Sequence, residues 1–202
     1  LVPPEKYAET HPDYYAVRDG QHNVKVTHLC TTNPEVVDTA ARELIALTAV
    51  HPELTHLGML QGDGWAFCQC PDCQALIEGT CDTVWPGENV PSASGLILKF
   101  VNDLSRALKP ERPDISLWFE AYSPTIQPPV TLRPASEVNV FVWIYWRCCL
   151  HSLDDPDCTR SQVYADVLRQ WRERTAGQMM VTDYWFGLTQ PVPWWPTMTT
   201  MQ

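Results

Sequence analysis

Residues 138–146, which read Val-Asn-Val-Phe-Val-Trp-Ile-Tyr-Trp, decide the fold class of this 202-residue chain. The run is almost continuously apolar, and Asn139 interrupts it only once. Strands of parallel sheets have this composition because both of their faces are buried. The segment therefore predicts a central strand of a parallel sheet.

On both sides of this strand, short β-rich runs alternate with helical patterns along the chain. Helices are predicted over residues 34–50 with Asn33 as N-cap, from Ser92 or Ser94 to residue 108, and over residues 160–175. Strands are predicted over residues 26–30, 54–60, 115–121, 138–146 and 179–182. The alternation indicates an α/β fold built from βαβ units.

An open doubly wound sheet and a barrel both fit this alternation, and periodicity does not separate them. No Gly-rich phosphate loop follows a predicted strand, which weakens the nucleotide-binding form of the open sheet. We therefore expect one domain over residues 1–202, the central and C-terminal part of a (β/α)8 TIM-type barrel. Such a partial barrel holds about five of the eight strands, and a second copy or further chain would complete it.

Charge and composition limit the partners. The formal net charge of -10 repels nucleic acid phosphates and anionic membranes. No apolar run reaches the roughly 18 residues that a membrane span needs, and residues 1–6 lack the features of a signal peptide. The eight cysteines favour an oxidising compartment. We expect a piece of a longer or processed protein that is secreted, periplasmic or on the cell surface, with neither nucleic acid nor membrane as partner.

Candidate catalytic groups follow the predicted strands, because active sites of parallel α/β folds lie beyond the carboxyl ends of the strands. Three carboxylates occupy such positions with aromatic residues close by in sequence, namely Asp63, Glu120 and Asp183. Cleavage of a glycosidic bond requires one protonated and one ionised carboxyl group. We predict Asp63 and Asp183 as general acid and as base or nucleophile, in either assignment, with Glu120 in reserve. Each could instead be a helix cap, a turn residue or an ion-pair partner.

Carbohydrate is the expected partner, because aromatic rings can stack on the C–H faces of sugars. The predicted substrate-binding residues are Tyr122, Trp146, His151, Tyr184 and Trp185, and Trp194 and Trp195 are further rings for a sugar cleft.

The cysteines fall into two groups in the sequence. One group contains Cys68, Cys70, Cys73 and Cys81, and the other contains Cys148, Cys149 and Cys158. Disulfides between two long loops are the preferred interpretation, because the C-x-C-x2-C spacing matches zinc sites imperfectly, and a zinc site and free buried thiols are the alternatives. Cys30 is interpreted as a small buried hydrophobic residue. No metal and no cofactor is expected.

Several motifs together resemble a known family. They are residues 1–20, residues 29–37 (Leu-Cys-Thr-Thr-Asn-Pro-Glu-Val-Val), Asp63 followed by residues 68–73 (Cys-Gln-Cys-Pro-Asp-Cys), Ala121-Tyr122, residues 148–155, and Asp183-Tyr184. The chain resembles, over nearly its whole length, a bacterial glycoside-hydrolase-like domain of unknown function. That domain often stands behind an α-glucuronidase-type N-terminal domain in secreted polysaccharide-degrading proteins.

The resemblance implies a TIM-type barrel and activity on carbohydrate. Family members usually have Asn before the equivalent of Asp63, where this chain has Gly62. That exchange removes an amide that could bind a sugar hydroxyl or N-acetyl group. Two alternatives from other classes remain: a non-catalytic carbohydrate-binding or scaffold module, and a metal-dependent hydrolase that uses the cysteines or the carboxylates.

Overall fold

The centre of the protein is a four-stranded parallel sheet with helices against one face. The computed structural model describes residues 1–24, 28–59, 62, 66–80, 92–144 and 147–183. In chain order the helices are α1 (Pro4–Tyr7), α2 (Pro34–Val50), α3 (Pro71–Thr80), α4 (Ser94–Leu108) and α5 (Thr159–Arg174), with 3-10 turns at Pro12–Tyr14 and Ser123–Thr125. The strands are β1 (Val17–Arg18), β2 (Gln21–His22), β3 (His56–Met59), β4 (Ser116–Ala121), β5 (Val138–Trp143) and β6 (Met179–Thr182).

The large sheet has the strand order β3-β4-β5-β6, and every pair is parallel. Each strand therefore lies beside the next one along the chain. A doubly wound sheet reverses its order at a switch point, and the described strands contain no such reversal. The predicted α/β class is confirmed, and the sheet is wound in one direction.

The first predicted strand, residues 26–30, does not join this sheet with its described residues. Leu29 forms an isolated antiparallel bridge with Tyr15. The neighbouring backbone groups are also taken, because Ala16 N donates to His28 O and Cys30 N donates to Tyr14 O. The described sheet therefore has four strands, and the described residues of this segment, 28–30, pair with the N-terminal residues.

The two faces of the sheet differ in chemistry. Side chains alternate along a strand, so Phe119 and Val140 lie on the helix-covered face, where both are completely buried. Trp171 of α5 packs on Phe119 with ring centroids 5.2 Å apart, and its indole N–H donates to Ile126 O at 2.8 Å. Burying such a side chain contributes about 1.5–3 kcal/mol. This face is the main core.

The opposite face, which we call the inner face, is only partly covered. In β5 the valines are buried, whereas Phe141 and Trp143 on the inner face are half-buried. The expectation that both faces of this strand are buried is therefore wrong for Phe141 and Trp143, because large rings keep a strand apolar even where it is half-exposed.

Local sequence signals explain the helices. Asn33 caps α2, because its side chain accepts from Glu35 N at 3.0 Å, and Pro34 occupies the first helical position. The helix α3 was not predicted from the sequence, which placed a long loop there, although Pro71 and Asp72 are N-terminal helix signals. None of the helices in the described ranges has the length and apolarity that crossing a bilayer requires.

Helices α3 and α4 approach closely at Gly95, where a Cβ atom would overlap the Thr80 side chain. We expect Gly95→Ala to lower the free energy of unfolding by about 1–3 kcal/mol through overpacking. Gly79→Ala is the matched control, since no atom lies within 4 Å of its Cβ position. This control is expected to gain roughly 0.5–1 kcal/mol from helix propensity. Urea denaturation of both variants checks the contact, and equal effects would contradict it.

Candidate active site

Glu120 is a buried carboxyl group on the inner face, near the carboxyl end of β4. The residue is only 8% exposed, and its partner across the β4–β5 ladder is Phe141. Its Oε2 accepts a hydrogen bond from Trp143 Nε1 at 3.0 Å. Burial raises the pKa of Glu120 because it disfavours the ionised form, and the bond from Trp143 offsets this only in part. A carboxyl group that keeps its proton above its usual range is suited to general acid catalysis.

Gly58 of β3 makes room for this carboxyl group. It lies on the inner face opposite Trp118, and a Cβ atom built on it would be 2.8 Å from Glu120 Oε1. Real Cβ atoms do not approach an oxygen this closely, so any larger residue would displace Glu120. A glycine within a strand often marks such a close approach.

Four aromatic residues on the inner face and just beyond it are the neighbours of Glu120 along β4 and across the β4–β5 pairing. We call them the aromatic strip. Its members are Trp118, Tyr122, Phe141 and Trp143, and all four are half-buried. The Trp143 ring lies 5.1 Å from that of Phe141 and 5.9 Å from that of Tyr122, measured between centroids. Such rings offer flat apolar surface with polar edges, the kind of surface on which a sugar can stack.

The chain turns sharply where β4 ends. Ser123 has a φ of 48°, which is uncommon for a residue with a side chain. Thr125 holds this turn, because its Oγ1 donates to Glu120 O at 2.8 Å and accepts from Tyr122 N at 3.1 Å. Strained backbone of this kind is concentrated at functional sites, where the surrounding structure maintains it. Here it fixes the position of Tyr122 next to Trp143.

Asp183, one of the two predicted primary catalysts, is held by a buried arginine. Arg147 Nε donates to Asp183 Oδ2 at 2.6 Å, and the two side chains are 3% and 11% exposed. Arg147 also donates to Cys148 O at 2.8 Å. Thr182, not Asp183, stands opposite Trp143 in the β5–β6 ladder. The contacts of Asp183 thus connect the end of β6 to the segment after β5.

The other predicted site residues divide into two sets. Tyr122 lies beside Trp143, as described above, whereas His151 is exposed and its Nδ1 is 3.2 Å from Cys148 Sγ. The residues that lie outside the described part of the chain are Asp63, Trp146, Tyr184, Trp185, Trp194 and Trp195. The structure therefore brings together Glu120, the reserve candidate, with Tyr122, and adds Trp143 and Gly58, which the sequence did not indicate.

The described cysteines form two clusters, and the sequence grouped most of them correctly but did not assign Cys30 to either group; Cys81 lies outside the described residues. In the four-sulfur cluster, the Sγ atoms of Cys30, Cys68, Cys70 and Cys73 all lie within 4.8 Å of one another. Cys30 is buried as predicted, but it is a member of this cluster and not merely a small apolar residue. Hydrogen bonds from its neighbours, first of all Cys30, lower the pKa of Cys68 to about 3.

The second cluster contains Cys148, His151 and Cys158, whose ligand atoms also lie within 4.8 Å of one another. A hydrogen bond from the Ser161 hydroxyl is the main cause that lowers the pKa of Cys158 to about 7. The seven cysteines of the described residues are all free. The disulfide prediction is therefore wrong for them: none of their sulfurs is bonded to another, and six of the seven lie in the two clusters.

Comparison with known protein families shows to which family the chain belongs. The model of the family described as Domain of unknown function (DUF4838) matches residues 1–202. The chain belongs to this family. No curated protein matches it. Membership of DUF4838 agrees with the resemblance to a domain of unknown function, and its glycoside-hydrolase-like character stays a prediction.

Replacing Asp183 tests how strongly its ion pair holds the DUF4838 domain together. Asp183→Asn leaves the buried Arg147 guanidinium without its anion, and we expect a loss of about 3–5 kcal/mol in the free energy of unfolding. Asp166→Asn is the matched control, because Asp166 pairs with Arg169 on the surface at 59% and 60% exposure, where a pair contributes about 0–1 kcal/mol. Denaturant unfolding of both variants measures the difference, and similar losses would contradict a structural role for Asp183.

Burial of Glu120 also predicts a pH-dependent stability. Its pKa is raised in the folded chain above the ordinary value of 4.5. The folded state therefore binds this proton more tightly than the unfolded state. The resulting stabilisation is fully present below about pH 4.5 and is lost as the pH rises through the folded pKa. Glu120→Gln should unfold at a higher temperature than wild type at pH 8, and the two should converge towards pH 4. Glu173→Gln, at an exposed site of α5, should show no such trend.

Proposed function

We propose that this domain hydrolyses glycosidic bonds of a polysaccharide or oligosaccharide, with Glu120 as general acid. The observation that carries the proposal is the buried, proton-retaining carboxyl group of Glu120 beside Trp143, in the middle of the aromatic strip. Glycoside hydrolases need a carboxyl group that is protonated at working pH, and burial next to a tryptophan is one way of obtaining it.

In the proposed reaction the Glu120 carboxyl donates its proton to the glycosidic oxygen as the bond from that oxygen to the anomeric carbon breaks. A second, ionised carboxylate stabilises the positive charge that develops on the sugar or activates a water molecule. Asp63 and Asp183 are the candidates for this second role. The ion pair with Arg147 makes Asp183 a residue that positions the end of β6, so Asp63 is the preferred candidate for the second role.

A barrel is the architecture we propose around this site. The one-directional strand order is that of a (β/α)8 barrel, whose inner face is lined by side chains and whose active site lies at the carboxyl ends of the strands. Glu120, Trp143 and Tyr122 occupy this end of β4 and β5. Met180 and Val181 of β6 are 50% and 44% exposed. A further strand or a second copy of the chain, completing the barrel, would cover them.

The proposed location outside the cytoplasm depends only on the proposed substrate. Large polysaccharides are degraded where they occur, at the cell surface or beyond it. The cysteine content, which suggested an oxidising compartment, no longer supports that location, because the described cysteines are free thiols.

The leaving group of the substrate tests the role of Glu120. We expect Glu120→Gln to lower kcat/KM by about 100-fold or more on natural glycans, because general acid catalysis contributes about 100- to 10,000-fold. On aryl glycosides with acidic phenols, which leave without protonation, the variant should keep most of its activity. Wild-type activity should fall as the pH rises through the raised pKa of Glu120, and this fall should be absent in the variant.

Controls separate catalysis from folding. Gly58→Ala displaces the carboxyl group without removing it and should lower activity on natural glycans more than on activated aryl glycosides, whereas Gly79→Ala should leave activity unchanged. Equal losses of Glu120→Gln on activated and natural substrates would remove the acid role. Asp63→Asn and Asp183→Asn, assayed in parallel under conditions in which denaturant unfolding shows both variants to be folded, decide which carboxylate is the second catalyst.

A non-catalytic carbohydrate-binding module is the second candidate, and the half-exposed rings of the aromatic strip favour it. It predicts saturable heat of glycan binding by calorimetry with no release of reducing sugar. Under this alternative Trp143→Ala abolishes binding, while Glu120→Gln binds as wild type and nothing is hydrolysed by either protein.

A further inference from the structure

The four-sulfur cluster has the dimensions of a metal site. Cys30 Sγ lies 3.7 Å from Cys70 Sγ and 4.0 Å from Cys73 Sγ, and all four sulfurs are within 4.8 Å of one another. A tetrahedral ion with metal–sulfur bonds of about 2.3 Å separates its sulfurs by roughly 3.8 Å. A disulfide requires about 2.05 Å between two sulfurs and pairs them. The observed spacing matches four ligands around one ion.

The chain positions these thiols from two separate segments. Cys70 and Cys73 flank Pro71 and Asp72 at the start of α3, which gives the C-x2-C spacing typical of zinc ligands. Cys68 precedes them in the same segment, and Cys30 comes from the segment that pairs with Tyr15. The amino-terminal end of a helix favours negative charge, so the first turn of α3 suits thiolate ligands.

Hydrogen bonds to the cluster fix its geometry. Val17 N donates to Cys68 Sγ at 3.3 Å, and the Thr32 hydroxyl lies 3.1 Å from Cys73 Sγ. Gln74 Nε2 donates to Cys68 O at 2.8 Å and holds the backbone beside the ligand. Donors of this kind orient metal ligands and stabilise their charge.

The cluster also lies where the fold needs reinforcement. It belongs to a small apolar cluster separate from the main core, whose buried members are Ala16, Cys30, Phe67, Cys68, Cys73, Ile77, Ala93 and Leu96. Only Phe67, Ile77 and Leu96 among them are large hydrophobic residues. Small cores of this kind are commonly stabilised by a disulfide or a metal ion.

We propose that Cys30, Cys68, Cys70 and Cys73 bind one Zn²⁺ ion as four thiolates. Binding forms four Zn–S bonds and releases the protons of the four thiols, so the completed site carries two negative charges. Four protein ligands leave no open coordination position, which makes the ion structural and not catalytic. The ion joins the start of α3 to the segment after residue 29, and the proposal does not depend on the hydrolase activity.

Metal analysis of the protein as purified, without chelators, tests the site. We expect about one equivalent of zinc per chain, and we expect Cys30→Ser and Cys73→Ser to lose it. Cys158→Ser is the matched control, because Cys158 belongs to the second cluster and should leave the zinc content unchanged. Cys81→Ser, which changes the fourth thiol of the sequence motif, should also retain zinc.

Cobalt substitution keeps the test decisive if a serine variant fails to fold. The wild-type protein refolded with Co²⁺ should show the visible and near-ultraviolet absorption of a tetrahedral tetrathiolate complex, and added Zn²⁺ should displace it. Absence of these bands together with absence of zinc would overturn the proposal. So would disulfide-linked peptides from these four cysteines, iron in place of zinc, or loss of zinc in Cys158→Ser or Cys81→Ser but not in Cys30→Ser.

Discussion

The parallel pairing of β4 with β5 is the constraint on which the rest of the structure depends. Its register sets Phe119 opposite Val140 and Glu120 opposite Phe141. Because successive side chains of a strand point to opposite faces, this one ladder directs the valines and Phe119 into the core and directs Glu120 and the large rings to the inner face. A shift of one residue would exchange the two sets. The core and the candidate site are therefore specified together.

Burying the Glu120 carboxyl group costs stability when the group is ionised, and this cost supports the proposed role in catalysis. The buried Glu120 carboxyl group accepts a hydrogen bond from Trp143 Nε1, but burial still makes its ionised form less stable than it would be in water. A strand position with no chemical role would be better filled by an apolar residue or an amide. Gly58 adds to this argument, because the sheet gives up a side chain in β3 to accommodate the carboxyl group. Two neighbouring strands are thus adapted to one proton-binding group, which is the arrangement expected of a general acid.

Different interactions hold the proposed active site and the proposed zinc site in place. The sheet and its helices are held by a large apolar core that includes Trp171 and Phe119. The segment around Cys30 and the start of α3 share a smaller cluster, in which Phe67, Ile77 and Leu96 are the large buried side chains, and the proposed zinc ion would stabilise it. The ion pair of Asp183 with Arg147 plays a comparable role where β5 and β6 end. Asp183, which the sequence predicted as a catalyst from its position after a strand, is thus held in place by Arg147.

The sequence by itself determined the α/β class, the positions of three large helices and of the four paired strands, and the rule that the site follows strand ends. These features depend on local periodicity, caps and proline positions, which neighbouring residues encode. It did not determine that Cys30 lies beside Cys70, which is 40 residues away in sequence. Nor did it determine that Arg147 forms an ion pair with Asp183. The contacts of Glu120 with Trp143 and with the space left by Gly58 were also not predicted. Those contacts depend on strand register and on the path of the chain between elements. Only the tertiary structure therefore decided that Glu120 is buried with a raised pKa, and that the sulfurs of Cys30, Cys68, Cys70 and Cys73 gather in one cluster.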